Sequence, residues 1–257
     1  MTTASEIATY LDDLLRTSET PDYPTALNGL QIDGSGPVRK IAAAVDYSAR
    51  TIAKAVDADA NFLIVHHGMF WSGPQNIVGP VYARLRLLIE KGVAVYSSHL
   101  PLDRHDRFGN NALLARELDL TPSGGFARFQ TIDIGVRGEA KMDTAELIAR
   151  ATKFAAAHGG AVRTTPVPEK HQTRKWAMCT GSGASAETLR EAADNGIDTL
   201  IVGEGPHWTA VQAADEGLVI IYAGHYATET PGVTAIAKHA AEKFSLPWVF
   251  LPSPTGL

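Results

Sequence analysis

Two stretches of this chain follow one plan, and that repetition limits what it can fold into more than any other feature. IAAAVDYSARTIAKAVDADANFLIVHHG (41–68) and WAMCTGSGASAETLREAADNGIDTLIVGEG (176–205) each run strand, polar turn, amphipathic helix, short loop, strand, then a polar pair. In the first copy the pair is His66-His67; in the second it is Gly203-Glu204. The segments that follow match too, KGVAVYSSHLPLD (91–103) lying opposite EGLVIIYAGHYATE (216–229). Each ends with a histidine just past a strand and a carboxylate four residues on: His99 with Asp103, His225 with Glu229.

Short apolar runs rich in Val and Ile alternate with segments of helical period, which places the chain in the α/β class. Strands are expected at 41–45, 61–65, 93–97, 131–136, 176–180, 199–202, 218–223 and 247–251. Helices are expected near 5–16, 49–57, 81–91, 110–118, 143–157, 185–195, 207–216 and 232–244. The Pro- and Gly-rich string at 160–174 reads as a loop or edge crossing. The repeat gives two pseudo-symmetric three-layer α/β halves with mainly parallel sheets. The first half is expected over 1–125 with His66, His67 and Asp103, the second over 126–257 with His225 and Glu229, the two forming one intertwined catalytic unit.

In parallel sheets functional groups gather beyond the carboxyl ends of strands. The groups there are His66, His67, His99, Asp103, His225 and Glu229, with Glu204 nearby. Imidazole and carboxylate are the usual ligands of zinc, iron, manganese or cobalt where thiolates are absent. So many candidates suit two ions better than one. Two cations roughly 3.5–4 Å apart would share a water and turn it into hydroxide near neutral pH. Consecutive residues leaving a strand diverge, so His66 and His67 could each serve a different ion. Pro231 disfavours helical geometry before it, which places His225 and Glu229 on the strand-to-helix turn. His105, His158, His171 and His239 read as surface or hydrogen-bonded structural histidines, and His207 as intermediate.

Composition removes several alternatives. A net charge of −5 leaves no basic stripe for nucleic acid. No apolar run approaches a membrane span. The N-terminus carries Glu6, Asp12 and Asp13 where a signal peptide would want basic and apolar residues, and a cytoplasmic protein is expected. The single cysteine, Cys179, reads as a small core residue. No phosphate-binding or dinucleotide glycine motif follows a strand, and no elbow motif frames Ser97 or Ser98 as a nucleophile.

HHGMFW (66–71), HLPLD with FGNNA (99–103, 108–112) and GHYATE with PGV (225–229, 231–233) resemble the signature blocks of the GTP cyclohydrolase 1 type 2 homologue family, also called the NGG1-interacting-factor-like family. NGLQI (28–32) and VGE (202–204) are weaker matches, and the length suits a short form without an inserted middle domain. The resemblance implies a toroidal homohexamer with dinuclear metal sites facing an internal cavity. Carried over residue by residue, it implies His66, His67, Asp103, His225 and Glu229 as ligands of two divalent ions per chain, zinc, iron or manganese. His99 matches a position beside the metals. Many members have a histidine shortly after the VGE position; here GPHWTA puts His207 out of register.

The expected activity is therefore a dinuclear metal hydrolase acting on a small molecule. The family name implies attack at guanine C8 of GTP with release of formate, and His99 or Glu204 could shuttle protons. The alternatives are a bimetallic hydrolase of another small metabolite, such as a phosphoester, and a non-enzymatic metal-binding or regulatory protein.

Overall fold

A computed structural model describes all residues, 1–257. By chain contact it divides into two compact units, Met1–Leu102 with Gly232–Ser253, and Asp103–Pro231 with Pro254–Leu257. The chain thus leaves the first unit at residue 102 and returns to it at 232, where the sequence suggested a single crossing at 125.

In the first unit, helix α1 (Ala4–Leu15) starts on a Thr3–Glu6 capping box. A short strand β1 (Gly29–Ile32) precedes β2 (Ile41–Asp46), α2 (Ala49–Asp57), β3 (Phe62–His67), α3 (Gly79–Lys91) and β4 (Ala94–Ser97). With β11 (Trp248–Phe250) these strands form a five-stranded sheet in the order β1-β4-β3-β2-β11, in which only the β1 pairing is antiparallel. Ala42, Ala44, Leu63, Val65, Val93 and Val95 pack with Ile52, Ala55 and Leu88 of α2 and α3. The alternate residues Ala43, Ile64 and Tyr96 are equally buried, and α1 ties to them through Tyr96 Oη donating to Asp12 at 2.9 Å. Burial on both faces is why these strands read as unbroken apolar runs rather than alternating ones.

A single helical turn, α4 (Leu100–Asp103), leads into the second unit with α5 (Asn110–Glu117), β5 (Gly124–Phe129), β6 (Ile132–Asp143), α6 (Thr144–Ala157), β7 (Arg163–Thr164), β8 (Gln172–Cys179), α7 (Ala186–Asn195), β9 (Thr199–Val202), α8 (His207–Asp215) and β10 (Val219–Tyr222). The sheet order is β5-β6-β8-β9-β10-β7. Trp176, Met178, Ile201, Val219 and Ile221 face α5 and α6 through Leu114, Leu118, Leu147 and Phe154. Ala177, Cys179, Leu200, Val202 and Ile220 face α7 and α8 through Leu189, Ala192 and Ala213. This unit is therefore three layers, as expected. Its sheet corrects the expectation of mainly parallel pairing: β8-β9-β10 is parallel, but β5-β6, β6-β8 and β10-β7 are antiparallel. For β5-β6 the cause is a hairpin. β5 and β6 are joined by only two residues, a connection that antiparallel strands alone can use.

Helices α2 and α7 begin on the same device. Ser48 and Ser185 each cap with a Thr three residues on, and each Thr hydroxyl also donates to a carbonyl five residues before it, at 2.8 Å. Each cap contributes about 1 kcal/mol.

The last helix, α9 (His225–Phe244), overturns the reading drawn from Pro231, which lies inside it rather than at its start. His225 and Glu229 are therefore on a helix, one turn apart. Proline forfeits its own bond to the carbonyl four residues back, a penalty of about 3 kcal/mol in a helix interior. Around it Thr228 and Thr230 donate their hydroxyls to the carbonyls of His225 and Tyr226 at 3.0 and 2.9 Å, and residues 226–230 are all buried. Packing of that turn outweighs the local preference. Strand β11 then pairs with β2. No helix is long and apolar enough to cross a membrane.

Candidate metal centre

β2 and β3 run parallel with Asp46 opposite His67, so both strands end at one level. His66 and His67 close β3, and His99 stands just past β4. In the first unit these three imidazoles converge, with one ligand atom of each within 4.8 Å of the others. Ring centroids are 4.8 Å apart for His66–His67 and 4.9 Å for His66–His99.

Every Nδ1 in this trio meets an oxygen. His66 Nδ1 donates to the Ser98 carbonyl at 2.9 Å, His67 Nδ1 to Asp46 Oδ1 at 2.9 Å, and His99 Nδ1 to Asp22 Oδ1 at 2.8 Å. A neutral ring that donates from Nδ1 carries its lone pair on Nε2. Histidines that hold metals are commonly fixed in this way, by a carbonyl or carboxylate behind the ring, so the donor set fits a divalent ion. His99 lies with the other two histidines, its ring centroid 4.9 Å from that of His66.

Asp22 was not singled out by sequence. It accepts the His99 imidazole, the Leu100 N–H at 2.9 Å and Asn28 Nδ2 at 2.8 Å, while Asn28 Oδ1 takes the His99 N–H at 2.7 Å. Burial alone would raise its pKa, but the hydrogen bond and charge of His99, with Asn28 and Leu100, outweigh burial and hold it below the ordinary carboxylate value. The loop that carries it, PDYPT, has no period to betray a role. The Trp71 ring centroid lies 4.4 Å from that of His99 and 4.7 Å from that of His67, tilted to both, an apolar neighbour to the pair.

The second unit holds the remaining candidates. Asp103, the last residue of α4, is 7% exposed. Its Oδ1 accepts Asn110 Nδ2 at 2.8 Å and Thr180 Oγ1 at 3.4 Å. Asn111 in turn accepts Thr180 N–H at 2.9 Å and donates to the Ile134 carbonyl at 2.9 Å. The two asparagines of FGNNA therefore fasten Asp103 to the end of β8. His225 lies between two carboxylates, Nδ1 at 2.8 Å from Glu204 Oε1 and Nε2 at 3.1 Å from Glu229 Oε2. Gly181 packs against this pair. Its N–H donates to Thr228 Oγ1 at 3.1 Å.

Burial lowers the His225 pKa, but the hydrogen bond and charge of Glu229, then of Glu204, more than reverse this and push it up to about 9. In the metal-free chain the proton is held more tightly folded than unfolded. The resulting stability, at most about 3 kcal/mol, is fully present below about pH 6.5 and is lost as pH rises through about 9. Thermal unfolding of the chelator-treated chain should therefore show Tm falling across that window. The fall should flatten in Glu229→Gln; an identical pH profile in that variant would assign the proton elsewhere.

Other histidines take structural partners. His239 pairs with Tyr10 Oη at 2.7 Å, His171 with Thr144 Oγ1 at 2.8 Å and His158 with the Phe154 carbonyl at 2.8 Å, while His105 Nδ1 accepts the N–H of Arg107 at 3.1 Å. His207 opens α8 on the surface. Cys179 is buried, and burial with the charges of Asp103 and Glu229 pushes its thiol far up, so it stays protonated. Ser97 donates to the His66 carbonyl at 3.1 Å. Ser182 approaches His225 Nδ1 at 3.3 Å but donates to the same Glu204 oxygen at 3.2 Å. Ser182 therefore shares its approach to His225 Nδ1 with Glu204, which sits closer at 2.8 Å.

The blocks that supply these residues belong to a known family whose model, Duf34/NIF3 (NGG1p interacting factor 3), matches residues 2–255. The chain belongs to the Duf34/NIF3 family. Among its relatives, a Deinococcus radiodurans protein named GTP cyclohydrolase 1 type 2 homolog is 40% identical over 258 residues, spanning 98% of this chain and 94% of the relative. A Pyrococcus abyssi protein of the same name is 38% identical, covering 98% of both chains. Two solved structures share the fold. The protein TTHA1606 from Thermus thermophilus has a TM-score of 0.86 at 36% identity, over 99% of this chain and 100% of that one. The protein ybgI, described as of unknown function, has a TM-score of 0.88 at 31% identity over the same shares. For a Duf34/NIF3 chain the HHGMFW and FGNNA blocks now have physical roles, tied imidazoles in the one and a fastened carboxylate in the other.

Proposed function

We propose that this chain is a dinuclear metal-dependent hydrolase of the GTP cyclohydrolase kind, with His66, His67, Asp103, His225 and Glu229 holding two divalent ions. The substrate is GTP, attacked at guanine C8 with release of formate. The observation that supports this reading is the pair His66 and His67, each with Nδ1 tied to an oxygen and His99 close by, a set of groups that could hold a metal ion. The relatives named GTP cyclohydrolase 1 type 2 homolog supply the reaction class. When bound, the ions would acidify a water near neutral pH and offset the charge that develops on the tetrahedral oxyanion.

The chain's own residues then divide the work. Ser98 and Asp46 keep His66 and His67 in the binding tautomer. Asn110 and Thr180 aim Asp103, and Glu204 orients His225. His99, backed by Asp22, takes the proton from the attacking water and returns it to the departing ring nitrogen. We also read β2-β3-β4 and β8-β9-β10 as a duplicated unit, and the assembly as a toroidal homohexamer, which light scattering tests directly.

Formate release from GTP by the metal-loaded chain, lost in His66→Ala, is the test of this function. No turnover of GTP or of a phosphoester panel, with two ions still bound, would make the chain a metal-binding protein instead. Asp22→Asn should leave metal content unchanged, lower kcat about tenfold or more, and shift the acidic limb of the pH–rate profile. Loss of metal from that variant would reassign Asp22 to ion binding.

A further inference from the structure

Beside the strand end that carries His67, the first unit contains a cavity of about 130 Å³. Its wall is mostly apolar, with Met69, Phe70, Ile77 and Val81, and Tyr47 and Arg84 are among its polar members. The Arg84 guanidinium hydrogen-bonds the Tyr47 hydroxyl. No carboxylate pairs with it. Its guanidinium carbon lies 5.8 Å from the centroid of the Tyr47 ring, and its Nε is shielded from solvent without a hydrogen-bond acceptor. An orphaned buried donor costs about 1–3 kcal/mol, more on a charged group, and such groups are paired in the great majority of folded proteins. An arginine that lines an apolar cavity with no carboxylate paired to it keeps its charge for a ligand that brings the anion.

The shape of the site limits that ligand. The guanidinium fork matches a planar oxyanion, above all a carboxylate. The apolar wall rejects a second charge. The volume is close to that of the engineered cavity of about 150 Å³ that takes a single benzene ring. We propose that this cavity binds a small monocarboxylate with a compact ring or branched body, the body filling the Phe70–Val81 wall and the carboxylate taking the Arg84 fork. None of its lining residues is a proposed metal ligand, so the site is distinct from the metal centre. A backbone hydrogen bond links it to that centre: Tyr47 N–H donates to the His67 carbonyl at 2.9 Å.

Benzoate titrated into metal-free chain, followed by calorimetry, tests this without relying on any activity. Saturable one-site binding is expected, weakened at least about tenfold in Arg84→Gln and abolished in Val81→Phe, which fills the cavity and keeps the charge. Benzamide, the same shape without the anion, should bind no better than benzoate does to Arg84→Gln. Benzoate binding that survives both substitutions, or no saturable binding by the wild-type chain, overturns the proposal. Either result leaves the metal reading untouched, because metal content is measured independently.

Discussion

A His67→Ala chain is expected to lose at least roughly two orders of magnitude in divalent-metal affinity and to show no metal-dependent turnover, while keeping its fold. The expectation rests on where His67 sits. Its Nδ1 is tied to Asp46 at 2.9 Å, so the ring presents Nε2 and nothing else in its place can do so. The fold survives because the loss strands no buried charge, the Asp46 side chain being 35% exposed. Calorimetric titration with zinc or manganese, beside far-ultraviolet circular dichroism, separates these effects. His67→Gln should recover little, since an amide oxygen binds such ions far more weakly than imidazole. Metal affinity within a few-fold of wild type would remove His67 from the ligand set.

The second large effect belongs to a residue with no side chain. Gly181 has φ of +64° and sits where β8 leads into the turn before α7. A Cβ there would fall inside the van der Waals radius of Glu229 Oε1 and 3.4 Å from His225 Nε2. Glu229 is 3% exposed, so its carboxylate has little room to retreat. Gly181→Ala should therefore cost about 1–2 kcal/mol from the left-handed backbone, and in addition displace Glu229 and weaken metal binding at least about tenfold. Gly217→Ala is the control. Its φ is +72° but a Cβ there meets nothing within 4 Å, so it should lose stability and keep metal affinity. Equal metal affinity in both variants would show that only backbone strain is at work.

Much of this was written openly in the chain. The polar pair after TLIV differs from that after FLIV, and under the proposed duplication the proposed metal role of His66 and His67 accounts for the difference. The helices that begin at Ser48 and Ser185 announce themselves by Ser and Thr three residues apart. What escaped were features whose cause is distant or local packing. Asp22 contacts His99 across 77 residues of sequence, and only the folded loop brings them together. The β5–β6 hairpin hides behind GGFARFQ (124–130), whose glycines and left-handed Ala127 and Gln130 obscure strand period. Pro231 misled because its local preference is real; buried packing of the α9 first turns overrules it.

Metal stoichiometry is the most direct measure of the proposed centre. Chain reconstituted with a single divalent metal, desalted at neutral pH and measured by elemental analysis should carry two ions per chain. A variant lacking His66, His67 and His225 should carry none. No metal above background in the wild-type chain, or undiminished metal in the triple variant, would contradict a dinuclear site built on these histidines.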